Sequence, residues 1–468
     1  MVVNSAKLLG GTAGVQLASL ALVPILTRVL SPSEVGSWDL IQFAMSLIAV
    51  LLMLELPAIA GMRLVARSQD TSAQAETFTA SLHFFKATSL TFVALYSICG
   101  WFIIRAWIPH SSNLIIVLLP VAAILSTLQL NVVSLAQHAG LVTAGVGVNL
   151  FSVLLNVGVA MLTLLLFRQG VIGLLEARIV AGGCGLGVTL WLCRPWMRRN
   201  KSLRDAFPMA KAALPLLPYS ISFFLLTYGD RTILVHFVSL SEIGTYSVAS
   251  KMNAMAFAGF TAIVTAYVLE YYKAEERVLS PVIRVLTIRS AAGIALVVYA
   301  VSEFATVALR ILAPPAFASA AAVVPALLIG QGCFGIVSLL WVELIAVERT
   351  TFIGIAMAIA AATDLVLTAV LSPTLGIQGA AVAQLGAFTV LLVVVAAELH
   401  RRSMLVRGAR EAISLIAGVG LLILFERGFL HLALAPRLIF FVLSSGVLLS
   451  LVVIGTGGGR HPNPSGQD

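Results

Sequence analysis

An all-α integral membrane protein of about fourteen transmembrane helices is the fold class that this chain predicts, on three observations. Hydrophobic residues make up 60% of its 468 residues and charged residues 10%, with a mean hydropathy of +1.03. A soluble domain carries about 25% charged residues, so this chain cannot clothe a water-facing surface. Apolar segments of helix length recur from end to end. Lys and Arg gather in alternate loops, the pattern of cytoplasmic loops in membrane proteins.

The segments fall at 7–29, 39–62, 82–105, 114–137, 143–167, 172–193, 212–236, 245–269, 285–311, 318–346, 352–371, 378–399, 410–428 and 434–454. Each matches the roughly 20 apolar residues that a span requires. Lys7 precedes the first run as it would in a signal peptide. That run continues to Leu26 with no A-x-A site after it, so it reads as a retained span. Pro24, Pro57, Pro120, Pro218 and Pro325 stand inside spans, where neighbouring helices satisfy the carbonyls that proline frees.

With the N-terminus in the cytoplasm, the inner loops hold Arg63, Arg67, the central "RPWMRRNKSLRDAF" (194–207), Lys211, Lys273, Arg284 and the Arg401–Arg410 cluster. The outer loops hold little beyond Arg105, Arg168, Arg310, Arg427 and Arg437. Both termini are then cytoplasmic, and the net charge of +9 reflects topology. No basic cluster sits on a soluble surface, so nucleic acid is not an expected partner.

Function classes narrow in the same way. No loop is long enough to be a folded catalytic domain, so an enzyme is not expected. Cys99, Cys184, Cys193 and Cys333 show no C-x-x-C spacing and the histidines no paired spacing, so neither metal nor cofactor is expected. The glycines of "GGCGLG" (182–187) lie within a span, where small residues serve close helix packing rather than a nucleotide.

The chain also repeats itself. "SPSEVGSWDL" at 31–40 matches "SLSEIGTYSV" at 239–248, displaced by 208 positions, and "GVIGLLEA" at 170–177 matches "GIQGAAVA" at 376–383, displaced by 206. Six spans per half give both halves the same orientation, hence a parallel repeat about an axis along the membrane normal. The expected organisation is an N-terminal six-helix lobe (1–193), a basic cytoplasmic linker (194–211), a C-terminal six-helix lobe (212–400), two additional helices (401–454) and a disordered Gly/Pro-rich tail (455–468). A central cavity is expected between the lobes.

Charges inside spans are the candidate functional residues, because each costs several kcal/mol in lipid unless it faces a cavity or a partner. Arg28, Arg231 and Lys251 are placed at a similar, outer depth and are candidates to bind an anionic group. Asp230 beside Arg231, Asp39, Glu55 and Asp364 are candidate charge partners or coupling residues. A plain ion pair of Asp230 with Lys251 or Arg231, joining two helices, is the alternative.

These residues carry a resemblance. "LTRVLSPSEVGSWDL", "GDRTILVHFVSLSEIGTYSVASKM" and "PTLGIQGAAVA" resemble motifs of the polysaccharide transporter family, within the multidrug/oligosaccharidyl-lipid/polysaccharide exporter superfamily. The resemblance runs over about residues 5–400. It implies two six-helix lobes, often with two added helices, around a cavity that is cationic in flippases. It also implies translocation of a lipid-linked, undecaprenyl-pyrophosphate-type oligosaccharide across the bacterial inner membrane for O-antigen or surface polysaccharide, with polymerase and ligase proteins as possible partners beside membrane lipids. Of the three cations, the family motif covers only Arg231, together with Asp230. The alternatives are a cation-coupled multidrug exporter of the same superfamily and a membrane polysaccharide polymerase or ligase.

Overall fold

In the computed structural model, residues 22–66, 70–107, 112–197, 206–273, 281–402 and 408–429 are described. Most of the first expected span, the fourteenth, part of the basic linker and the tail lie outside them. The described residues form helices joined by short turns, with no strand among them. Eleven of these helices are long and apolar enough to cross a membrane. They correspond to the second through twelfth expected spans, and Ala409–Phe429 follows as the thirteenth. The fold is that of an all-α membrane protein.

Helix starts show how the repeat motif works locally. After a short α1 (Val23–Val29), α2 runs Pro32–Met53 and begins with a capping box. The Glu34 amide donates to the Ser31 hydroxyl (3.3 Å), and the Ser31 amide donates to the Glu34 carboxylate (2.8 Å). Pro32 occupies the first turn, where its missing N–H costs nothing. The second copy of the motif does the same. The Glu242 amide donates to the Ser239 hydroxyl (3.3 Å) and the Ser239 amide to the Glu242 carboxylate (3.0 Å). The S-x-S-E spacing of the repeat is therefore a pair of helix N-termini.

The second expected span is two helices rather than one. α2 ends at Met53, and Leu54 and Glu55 turn through the left-handed region (φ 46° and 59°) before α3 (Leu56–Ala66) begins. Pro57 in the first turn of α3 fits this break, because a proline disfavours helical geometry just before it. By contrast, Pro120 and Pro325 lie inside unbroken helices, α5 (Asn113–His138) and, further on, Ala320–Ala346. Between α3 and α5, α4 (Thr71–Trp107) has 37 residues, about 55 Å, well beyond the roughly 30 Å of a hydrocarbon core.

α6 (Val142–Leu165) and α7 (Val171–Leu192) complete a packed trio with α5. The "GGCGLG" glycines serve that packing. A Cβ on Gly182 would fall 2.9 Å from the Ser126 amide nitrogen, and one on Gly185 2.1 Å from the Ser152 hydroxyl. Next come α8 (Phe207–Ala213), which begins within the expected linker, α9 (Leu217–Tyr228), α10 (Asp230–Leu234) and α11 (Leu240–Lys273). The remaining helices are α12 (Pro281–Leu312), α13 (Ala320–Ala346), α14 (Thr350–Leu375), α15 (Ile377–Arg401) and α16 (Ala409–Phe429).

Two compact units emerge from the packing. The first takes the described residues of Met1–Val248 with Ile311–Ala318 and Thr368–Ile377; the second takes those of Ala249–Arg310, Ser319–Leu367 and Gln378–Asp468. α13 is the interior helix of the second unit, buried along nearly its whole length.

Candidate functional site

The candidate site grows from a helix break. α9 stops at Tyr228, the Gly229 amide closes the last turn on Leu225 O (2.7 Å), and α10 restarts at Asp230. Just past the break, the Arg231 amide donates to the Asp230 carboxylate (2.9 Å). The Arg231 side chain then folds back. Its Nη1 donates to Asp230 Oδ1 (2.7 Å) and to Thr227 O (3.1 Å), and its Nε donates to Asp39 Oδ2 of α2 (3.1 Å).

Every member of this network is buried, with Asp230 at 0%, Arg231 at 3% and Asp39 at 7% exposure. Tyr246 of α11 donates its hydroxyl to the second Asp230 oxygen, and Ser247 donates to the second Asp39 oxygen (2.8 Å). The guanidinium lies 5.4 Å from the Tyr228 ring centroid and 5.1 Å from that of Tyr246, within cation–π range. Two carboxylates thus flank one guanidinium, and each accepts a hydroxyl on its other oxygen. Buried charge is tolerated here because each carboxylate meets the guanidinium and accepts a further hydrogen bond.

Beside this network α2 and α11 cross at contact distance, and the crossing is symmetric in the repeat. A Cβ on Gly36 would lie 1.9 Å from Leu240 O, and one on Gly244 would lie 2.0 Å from Pro32 O. Gly36 and Gly244 are equivalent repeat positions, as are Pro32 and Leu240. Only glycine fits at either place without the backbones moving apart. The second repeat match meets the same motif. Gly170 (φ 58°) and Gly376 (φ 56°) start α7 and α15, and their α-carbons approach the Glu34 and Glu242 carboxylates, with an added Cβ at 3.3 and 3.7 Å.

The structure brings three of the seven sequence-predicted residues, Asp39, Asp230 and Arg231, into one network. Arg28 stands exposed at the end of α1, with its Nη2 donating to Ile311 O (2.8 Å) and no ion pair among the described residues. Glu55 is half-buried at the α2–α3 break. Lys251 is half-buried in α11, and Asp364 is fully buried in α14; both belong to the second unit. Among the described residues no group of three His, Cys, Asp or Glu side chains is placed to hold a metal.

No family model matches the chain, and neither does any curated protein. Solved structures do. A lipid II flippase MurJ in an inward closed conformation matches with a TM-score of 0.70 over 96% of this chain and 98% of its own, at 11% identity. The chain has the MurJ fold. An inward-facing multidrug-resistance MATE transporter of the MOP superfamily matches with a TM-score of 0.64 over 86% of this chain and 95% of its own, at 13% identity. Its outward-facing counterpart scores 0.60 over 89% and 95%, also at 13%. The likeness to MurJ thus covers a larger share of this chain than the likeness to either MATE structure.

Sequence reasoning missed Ser247 and Tyr246 as partners of the carboxylates, and Glu343, which is buried in α13 at 1% exposure. The signal for Ser247 was present. It stands 208 positions after Asp39, at the equivalent place in the repeat.

Proposed function

We propose that the chain is a flippase that carries a lipid-linked, undecaprenyl-pyrophosphate-type oligosaccharide across the bacterial inner membrane by alternating access, for O-antigen or other surface polysaccharide. The carrying observation is Arg231 held, buried, between Asp39 and Asp230 beside the α2–α11 crossing. A phosphate offers the same bidentate oxygen geometry as a carboxylate, so the guanidinium can exchange one for the other when the crossing opens. The near full-length likeness to MurJ supports the same reading.

In this reading the six-helix lobes 1–193 and 212–400 rock about the repeat axis, with 401–454 as added helices and both termini in the cytoplasm. The α2–α11 glycine crossing is the seal at one end. Arg28 and Lys251 contact the phosphates with Arg231, Asp230 orients Arg231, and Asp39, Glu55 and Asp364 respond to the coupling ion. A sugar pyrophosphate is too polar to cross hydrocarbon unaided, and a hydrated path lets the head cross while the tail stays in lipid. No bond is made or broken. Polymerase and ligase proteins would act on the product at the far leaflet.

One observation favours a second reading, a cation-coupled multidrug exporter. The buried network holds two carboxylates to one guanidinium, so it carries excess negative charge when ionised. Translocation measured in proteoliposomes, with wild type beside Arg28→Ala and Lys251→Ala, separates the two. The flippase reading expects lipid-linked oligosaccharide transport in wild type and its loss in folded variants. The exporter reading expects dye transport that survives both substitutions.

A further inference from the structure

In the second unit, α13, α15 and α16 line an open cavity of about 780 Å³. Its walls are apolar, with Ile329, Cys333, Leu392 and Ile416 on the inside and Val393 and Leu421 at the exposed edge. The lining runs along α15 from Leu385 to His400 and along α16 from Arg410 to Leu424, about 20 Å at helical rise. That length exceeds one leaflet of a hydrocarbon core about 30 Å thick.

Charge is confined to one end. His400 lies in the last turn of α15 and Arg410 in the first turn of α16, on either side of the short connection between those helices, and they are the basic side chains of the lining. The arginines beside them already have carboxylate partners. Arg401 and Arg402 both pair with Glu398, and Arg284 pairs with Glu411 at 2.9 Å. His400 and Arg410 make no ion pair among the described residues. An apolar slot of acyl-chain length that ends in unneutralised donors at the membrane–water boundary has the chemistry of an anionic lipid site.

We propose that this cavity binds one anionic phospholipid, with its phosphate on Arg410 and His400 and an acyl chain between α13, α15 and α16. The lipid would brace α16 against α13 and α15. The site is separate from the Arg231 network and does not depend on what the chain transports.

The test is native mass spectrometry of the full-length protein after delipidation in mild detergent, titrated with phosphatidylglycerol or phosphatidylcholine. Phosphatidylglycerol should be retained preferentially. His400→Gln with Arg410→Gln should cut its retention about tenfold or more, since each basic contact near the surface is worth about a factor of five. Ala417→Trp, which fills the slot without altering charge, should reduce retention as well, whereas Arg284→Gln should not. Melting temperature checks that each variant is folded. Equal retention of the two lipids, or retention unchanged in the double variant, overturns the proposal. So does efficient disulfide cross-linking of a cysteine at Val393 to one placed within 434–454, because the chain's own segment would then fill the slot.

Discussion

The Ser247 hydroxyl donates to the Asp39 carboxylate at 2.8 Å, and the two residues occupy the same position in the two copies of the repeat. Equivalent residues meet only where the repeat axis passes between them. Gly36 and Gly244 meet in the same way one turn earlier, so the α2–α11 crossing lies on that axis. The pair holds an acid in the first copy and a hydroxyl in the second, and the acid accepts from Arg231.

Breaking the network should be expensive. Arg231→Met leaves two buried carboxylates without their cation and should cost about 3–5 kcal/mol. Adding Asp39→Asn should recover part of that loss, because it removes one of the stranded charges. Thermal unfolding in detergent reads both, and strictly additive losses would show that the two side chains are not coupled.

The crossing should tolerate no side chain. Gly36→Ala or Gly244→Ala puts a methyl within 2.0 Å of a facing carbonyl, so α2 and α11 must separate. In a background without the native cysteines, Ser247→Cys should react faster with a membrane-impermeant maleimide once either alanine is present. Transport should fall in parallel. An unchanged labelling rate would mean that the crossing does not seal the path.

The paired caps should contribute equally. Ser31→Ala and Ser239→Ala each remove an acceptor for a first-turn amide, and each should cost about 1 kcal/mol. The comparison is made by the shift of the unfolding midpoint. A loss at one site alone would show that the two helix starts are not equivalent.

Glu55 can be tested apart from its backbone. Its φ of 59° suits glycine better than any other residue, so Glu55→Gly should keep or raise thermal stability. If its carboxylate serves coupling, transport by this stable variant should lose its dependence on the driving ion. Normal ion dependence would assign Glu55 to the turn alone.

The spans were legible because hydropathy over some twenty residues is an average that single substitutions barely move. The repeat was legible too, but the start of a helix at each S-x-S-E motif was not, because hydropathy opens those spans at 39 and 245, past their polar first turns. The breaks at Leu54–Glu55 and at Gly229 were not. Pro57 marks a kink, but in lipid a proline can sit in a continuous helix, as Pro120 does, and tertiary packing decides between the two outcomes. The Asp230–Arg231 pair was visible at once, whereas its Asp39 partner 192 positions earlier required knowing that α2 packs against α9 and α11. Arg28 and Lys251 were grouped with Arg231 by depth along their spans, and depth alone does not say which way a side chain points.

The central claim is most directly tested by following a fluorescent undecaprenyl-pyrophosphate oligosaccharide in proteoliposomes that contain the wild-type protein, with the label quenched from outside. The account predicts protein-dependent movement of the labelled head group between leaflets, and no accumulation of a cationic dye under the same ion gradient. Dye transport with no movement of the lipid-linked sugar would contradict it.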